Sequence, residues 1–237
     1  MMRSLHGSWD YKKRKKNKFM KKQFIINLLI VLIALSPMAY LLIVWDSIPE
    51  TFVTKFELSQ TFEKVQSRDT LLTATIAISL VSALLYLLMR NLKKVDPKVS
   101  DDTPKSAFHK LGLIITLFFV ILNFFLILTA KNAWTISTNM AVAFFGLLVV
   151  FIGNYMNNIK PNYIAGIRLP WTLNDHDNWR KTHRLASKLW FAGGLVLIII
   201  SFLLPENLLI PSMITMLVVL VIIPSVYSYR IYRNKLS

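Results

Sequence analysis

Along the chain, long stretches without a single charge alternate with short polar blocks. Between Lys22 and Asp46 lie 23 uncharged residues, between Asp69 and Arg90 there are 20, and between Lys110 and Lys131 another 20. Lys131 to Lys160 encloses 28, of which Ala133–Tyr155 is the apolar part. Lys188 to Glu206 encloses 17 and Glu206 to Arg230 encloses 23. A helix rising 1.5 Å per residue needs about 20 apolar residues to cross a hydrocarbon layer of roughly 30 Å. The pattern predicts six membrane-spanning helices. The fifth run, Leu189–Pro205, is short and gains length from the amphipathic stretch before it. The first run is too long for the apolar region of a cleavable signal and lacks a small-x-small cleavage site.

The composition agrees. Of the 237 residues 54% are hydrophobic, and the net charge is +16. In a soluble chain that excess would point to nucleic acid. Here the charges are confined between apolar runs, so no direct contact with nucleic acid is expected. The chain has no cysteine, which excludes disulfides, thiolate metal sites and a cysteine nucleophile. Alternation through six spans places 24 of the 28 Lys and Arg on one face, leaving Lys55, Lys64, Arg68 and Lys131 on the other. The positive-inside rule makes the basic face cytoplasmic, with both termini inside. The expected fold is therefore an all-α integral membrane protein with six transmembrane helices, N-in and C-in, and an amphipathic cytoplasmic helix before helix five. Its setting is a multi-pass location in a membrane whose basic face is cytoplasmic, and its first partner is the lipid bilayer.

This reading divides the chain into a basic N-terminus (1–23), two helices joined by an external loop (24–89, loop 46–69), a cytoplasmic linker (90–110), a four-helix region (111–229) and a tail (230–237). The external loop carries Trp45, Ile48, Pro49, Phe52, Phe56 and Phe62, and is expected to pack on the membrane surface or on the helix ends. Within the spans, Asn27, Asn123 and Asn139 should each face another helix, because an amide has no partner in lipid. Asn139, Gly146 and Gly153 lie seven apart on one stripe of the fourth span, the pattern of a close packing seam. Pro37, Pro211 and Pro224 are expected to kink helices.

No span core contains a charged residue, which argues against a pump and against an intramembrane enzyme. Chemistry is instead concentrated in the loop 156–188, between spans four and five. Gly166 permits a turn at positive φ, and Pro170 biases Leu169 towards an extended conformation. Thr172 or Asn174 is positioned to cap a helix whose first turn holds Asp175 and Asp177. From there Trp179, His183, Ala186 and Trp190 form one face, flanked by a cationic stripe of Arg180, Arg184 and Lys188. A helix of this kind can lie in the headgroup region and turn into the fifth span. His176 and His183, two turns apart, have no third ligand, so neither a metal nor a cofactor is expected. His183 and Asp177 do not share a helix face, so an enzyme acting on lipid is disfavoured.

The segment Gly166-Ile167-Arg168-Leu169-Pro170-Trp171-Thr172-Leu173, followed by Trp179 and then Thr182-His183-Arg184, resembles the signature of the SdpI/YfhL family of bacterial membrane proteins. Gly153-Asn154-Tyr155-Met156 and Lys160-Pro161-Asn162-Tyr163 are similar to the family's approach to it. Leu169 departs from the usual threonine. The match of Ser47-Ile48-Pro49-Glu50-Thr51-Phe52 to the N-terminal module of larger members is weaker, since Thr51 replaces a histidine. The resemblance implies a non-enzymatic immunity protein that resists, and in the founding type senses, a secreted membrane-active peptide toxin arriving on the outer side. It also implies a receptor role, in which a small DNA-binding autorepressor is held at the membrane. The expected partner- or ligand-binding residues are Gly166, Ile167, Arg168, Pro170, Trp171, Thr172, Leu173, Trp179, Thr182, His183 and Arg184. Arg168 and Arg184 would contact a carboxylate or phosphate, Trp171 and Trp179 would set the depth of the loop, and Gly166 and Pro170 its turn. The alternative is a small transporter or lipid-exporting protein working through Asn123, Asn139 or Gly146. The oligomeric state stays open.

Overall fold

The structure is a computed structural model that describes residues 3–54, 64–99, 105–131 and 137–235. It contains six helices long and apolar enough to cross a membrane, and the chain is an all-α multi-pass membrane protein. The spans lie in α1 (Arg3–Ile43), α2 (Arg68–Arg90), α4 (Lys105–Ala130), α5 (Thr138–Met156), α7 (His176–Leu203) and α8 (Glu206–Arg233). Two short helices, α3 (Leu92–Val95) and α6 (Pro170–Asn174), complete the set. Helix α1 has 41 residues, of which Met20–Ile43 form the apolar span. The basic block ahead of it therefore continues the helix, as a run of helix-forming lysines and arginines allows.

The amphipathic stretch before the fifth span does gain that span its missing length, because α7 runs unbroken from His176 to Leu203. Its polar half is continuous with the span and does not turn at the membrane surface. Capping also differs from expectation. Asp175 caps α7, accepting the N–H groups of Asp177 at 2.9 Å and Asn178 at 3.2 Å. Thr172 instead closes the separate turn of α6.

Packing divides the spans into two groups of three. Helices α1, α2 and α4 pack on one another, and α5, α7 and α8 form the second group. Gly146 and Gly153 do form a seam, between α5 and α7. A Cβ at Gly153 would lie 2.5 Å from Phe191 N, and one at Gly194 would lie 2.6 Å from Val150 N. Backbones approach this closely only where side chains are missing. Within the seam the Asn139 amide donates to the Ser201 carbonyl at 2.6 Å, and the Ser187 hydroxyl to the Gly153 carbonyl at 2.7 Å. The other two amides also bond across helices: Asn27 accepts from the Tyr86 hydroxyl, and Asn123 donates to Thr75 O and Ser79 Oγ. Pro37 lies inside α1, and Pro211 and Pro224 lie inside α8.

Opposite the termini, the loop after α1 packs on helix ends, as expected for the part that is described. A 3-10 turn (Trp45–Ser47) leads to β1 (Thr51–Thr54), which pairs antiparallel with β2 (Lys64–Ser67). Ile48 and Phe52 are buried with Leu41, Leu71, Ile127 and Ala130, while Arg68 lies over the Trp45 ring at 4.5 Å. Phe56 and Phe62 fall outside the described residues, as does the expected start of the fourth span at Ala133.

Candidate functional site

The segment 157–175 joins the basic-face ends of α5 and α7 and is folded by its own side chains. Asn162, fully buried, uses all of its amide capacity. Its Oδ1 accepts from Ile164 N at 2.8 Å and Ala165 N at 2.6 Å, and its Nδ2 donates to the carbonyls of Lys160 and Ala165 at 2.9 Å. An asparagine that bonds the backbone two and three residues on is a turn builder. The chain then passes Gly166, the one described glycine at positive φ (111°). A Cβ there would fall 2.3 Å from His183 Nε2, so glycine is required both by the backbone angle and by the ring beside it.

His183 is a buried structural group in this arrangement. Its Nε2 accepts the Ile167 N–H at 3.1 Å, and its Nδ1 lies 2.9 Å from the Trp179 carbonyl. Those two bonds require the neutral ring with the proton on Nδ1. The ring stacks on Trp179 with centroids 4.0 Å apart, and the Trp179 indole N–H donates to the Ile159 carbonyl at 2.8 Å. Pro170 opens α6 at its first position, where a missing N–H costs nothing. The Thr172 hydroxyl accepts from Leu169 N and faces the carbonyls of Ile167 and Leu169, all at 2.9 Å. Thr182 donates to Asn178 Oδ1 at 3.0 Å; Asn178 also takes the Ser228 hydroxyl at 2.8 Å and donates to the Ser228 carbonyl at 3.0 Å. This fully buried triad ties α7 to α8.

Two elements from elsewhere hold the segment. Asp96 Oδ2 accepts from Tyr163 N at 2.5 Å and its Oδ1 from Lys98 N at 2.9 Å. The Lys98 ammonium donates to the Leu173 carbonyl and sits 5.0 Å from the Tyr163 ring. Met89, Leu92, Val99, Phe108 and Leu111 close over Ile159 and Trp179 to form an apolar cluster. From the C-terminus, Lys235 pairs with Asp175 at 2.5 Å, and this hydrogen bond, helped by the two capping N–H groups, lowers the Asp175 pKa below its ordinary value.

The structure thus brings together most of the expected residues, in roles other than those the sequence assigned to some of them. Trp179 is 1% exposed, and Trp171 packs on Tyr229 and Tyr232 of α8 with centroids 5.3 and 5.8 Å away. Trp179 therefore packs against protein where it was expected to set depth among headgroups, whereas Trp171 stays half-buried beside the exposed rings of Tyr229 and Tyr232. The Arg168 guanidinium donates to the Tyr163 carbonyl, a brace across the turn. Arg184 is exposed and, among the described residues, has no ion pair. Three contributors were not singled out from the sequence: Asp96, Asn178 and Ser228. Asn178 was within reach, since it lies one turn before Thr182 on the same face. Asp96 and Ser228 are distant in sequence and carry no local signal.

Beside the loop lies a cavity of about 370 Å³ lined by Asn157, Lys160, His176, Asp177 and Arg180, with Trp179 and His183 in its wall. Its cationic side chains outnumber its acid, and Asp177 is itself paired with Arg180 at 2.9 Å and Lys181 at 2.8 Å. Such a recess favours an anionic or hydrogen-bond-accepting group. Among the described residues no group of three His, Cys, Asp or Glu side chains is arranged to hold a metal.

Comparison with known proteins bears out the resemblance. Residues 158–228 match the model of the SdpI/YfhL protein family. The chain is also 30% identical over 89 residues to the protein named Immunity protein SdpI of Bacillus subtilis (strain 168). The aligned stretch covers 38% of this chain and 42% of that relative. No solved structure matches.

Proposed function

We propose that this membrane protein, whose signature loop and last two spans belong to the SdpI/YfhL family, is an immunity protein against a secreted membrane-active peptide. The observation that carries the reading is the signature segment itself. Its residues match a family with a curated immunity protein, and here they form one braced unit through Asn162, Gly166, Thr172 and His183. In this reading the basic face is cytoplasmic and the membrane is the bacterial cytoplasmic membrane, supported by the distribution of lysine and arginine. The toxin meets the opposite face, where the hairpin and its apolar cluster lie. The cationic recess lined by Lys160 and Arg180 is the part we assign to a cytoplasmic autorepressor in a sensing role.

The test is survival of a susceptible bacterial strain expressing the full chain, challenged with an Sdp-type peptide and with an unrelated pore former. Wild type and Arg168→Ala are compared at matched membrane abundance. Protection against the Sdp-type peptide only, lost in the variant, is the expected result. No protection by the wild type overturns the immunity reading; equal protection by the variant removes Arg168 from the site.

A further inference from the structure

The outward face of α7 changes character along one line. Arg180, Arg184 and Lys188 are all exposed and follow one another at intervals of four residues. The same line continues through Phe191, Leu195, Ile199 and Phe202, which are 42, 42, 57 and 65% exposed. At 100° per residue these seven positions fall within about 100° of arc, so they form a single stripe parallel to the helix axis. The apolar run after Lys188 has 17 residues and is about 25 Å long. Lys188 therefore sits at the edge of the hydrocarbon layer, with Arg184 a turn further out at headgroup depth.

The cations of this stripe differ in how they are used. Arg180 is paired with Asp177. Arg184 and Lys188 have no ion pair among the described residues, although Arg168, the other arginine of the signature, is occupied by the Tyr163 carbonyl. Two unpaired cations one turn apart match the phosphate of a single headgroup, the arginine presenting its donors as a fork and the lysine as a point charge. The exposed apolar line below them matches one acyl chain in length and direction.

We propose that this stripe is a binding site for an anionic phospholipid, with Arg184 and Lys188 holding the headgroup phosphate and Leu195, Ile199 and Phe202 lying against an acyl chain. A bound lipid fixes the axial position of α7, and with it the histidine and tryptophan that shape the signature loop. The proposal is independent of the immunity reading, since it concerns retention of a lipid and not survival.

The test is native mass spectrometry of the full chain released from detergent and titrated with phosphatidylglycerol, phosphatidylethanolamine or inorganic phosphate. Wild type is compared with Arg184→Gln/Lys188→Gln and with a control of equal charge loss, Lys15→Gln/Lys18→Gln in the N-terminal run. The expected result is one phosphatidylglycerol retained by the wild type and by the control. The Arg184/Lys188 variant should bind it about thirtyfold more weakly, at roughly fivefold per basic residue near an anionic surface, and the other two ligands should not be retained. Equal retention of phosphatidylethanolamine, equal loss in the control, or binding of phosphate alone overturns the proposal. A second copy of the chain bound in place of lipid, and lost in the Arg184/Lys188 variant, overturns it too and assigns the stripe to a dimer contact.

Discussion

Gly166→Ala is the substitution whose consequence the structure defines most fully. The residue sits at φ 111°, where an L side chain is strained by about 1–3 kcal/mol. The new methyl would also lie 2.3 Å from His183 Nε2, far inside contact distance. The ring has little freedom to yield, being stacked on Trp179 and bonded at both nitrogens. Displacing it leaves the Ile167 N–H without an acceptor, a loss of about 1–3 kcal/mol when the group is buried. The two effects together give about 2–6 kcal/mol. The ring contribution can be isolated by repeating the change in a His183→Ala background, where the methyl has room and only the backbone strain remains. Unfolding in mixed micelles with increasing sodium dodecyl sulfate, followed by tryptophan fluorescence, reads all four corners of the cycle. We expect a coupling of about 1–3 kcal/mol between the two sites. Additivity within about 0.5 kcal/mol would refute the argument that the ring, and not the backbone angle alone, demands glycine.

Three further outcomes are expected. Asn178→Leu should lower the unfolding free energy in the same assay by about 2–4 kcal/mol, since Thr182 and both polar groups of Ser228 lose their partner; Ser228→Ala should cost less, because only one hydroxyl is removed. Asp96→Asn should loosen residues 157–169 without unfolding the helices, seen as faster amide exchange there, because an amide nitrogen turned towards Tyr163 N–H cannot accept its hydrogen bond. Asp175 has a depressed folded-state pKa, so its contribution to stability is present above its unfolded value and lost as pH falls through the folded one. A pH series of unfolding free energies should show a smaller acid loss in Lys235→Gln than in wild type, beginning at the same unfolded-state value and complete at higher pH, with a difference at neutral pH below about 1 kcal/mol for so exposed a pair.

The spans were legible because lipid imposes one rule on every residue of a crossing helix, and charge-free runs record it directly. The α5–α7 seam was legible for a related reason: small residues repeated on one stripe have little other use in a membrane helix. The hairpin was not. Thr51–Thr54 and Lys64–Ser67 are four residues each, too short for an alternating pattern to stand out. Their pairing is a tertiary fact. The same holds for the network around the signature. Gly166, Pro170, Trp179 and His183 were visible as unusual residues in a loop, but that the ring of His183 fills the space left by Gly166 depends on α7 and the turn lying side by side. Where the sequence placed Trp179 at headgroup depth, composition alone does not distinguish an indole facing lipid from one facing protein. The Trp179 N–H to Ile159 carbonyl bond decides it.

The glycine contacts between α5 and α7 also bear on the chain that connects them. A loop loses entropy when its ends are brought together, and a loop of many polar bonds and few apolar ones has little to set against that loss. Here the packing of α5 on α7 fixes where each end of the segment lies. Gly153 is one turn from the end of α5 and lies against Trp190 and Phe191, so the helix packing alone sets the distance the segment has to span. Asn162, Thr172 and His183 then need only select one shape for a segment whose two ends are already fixed.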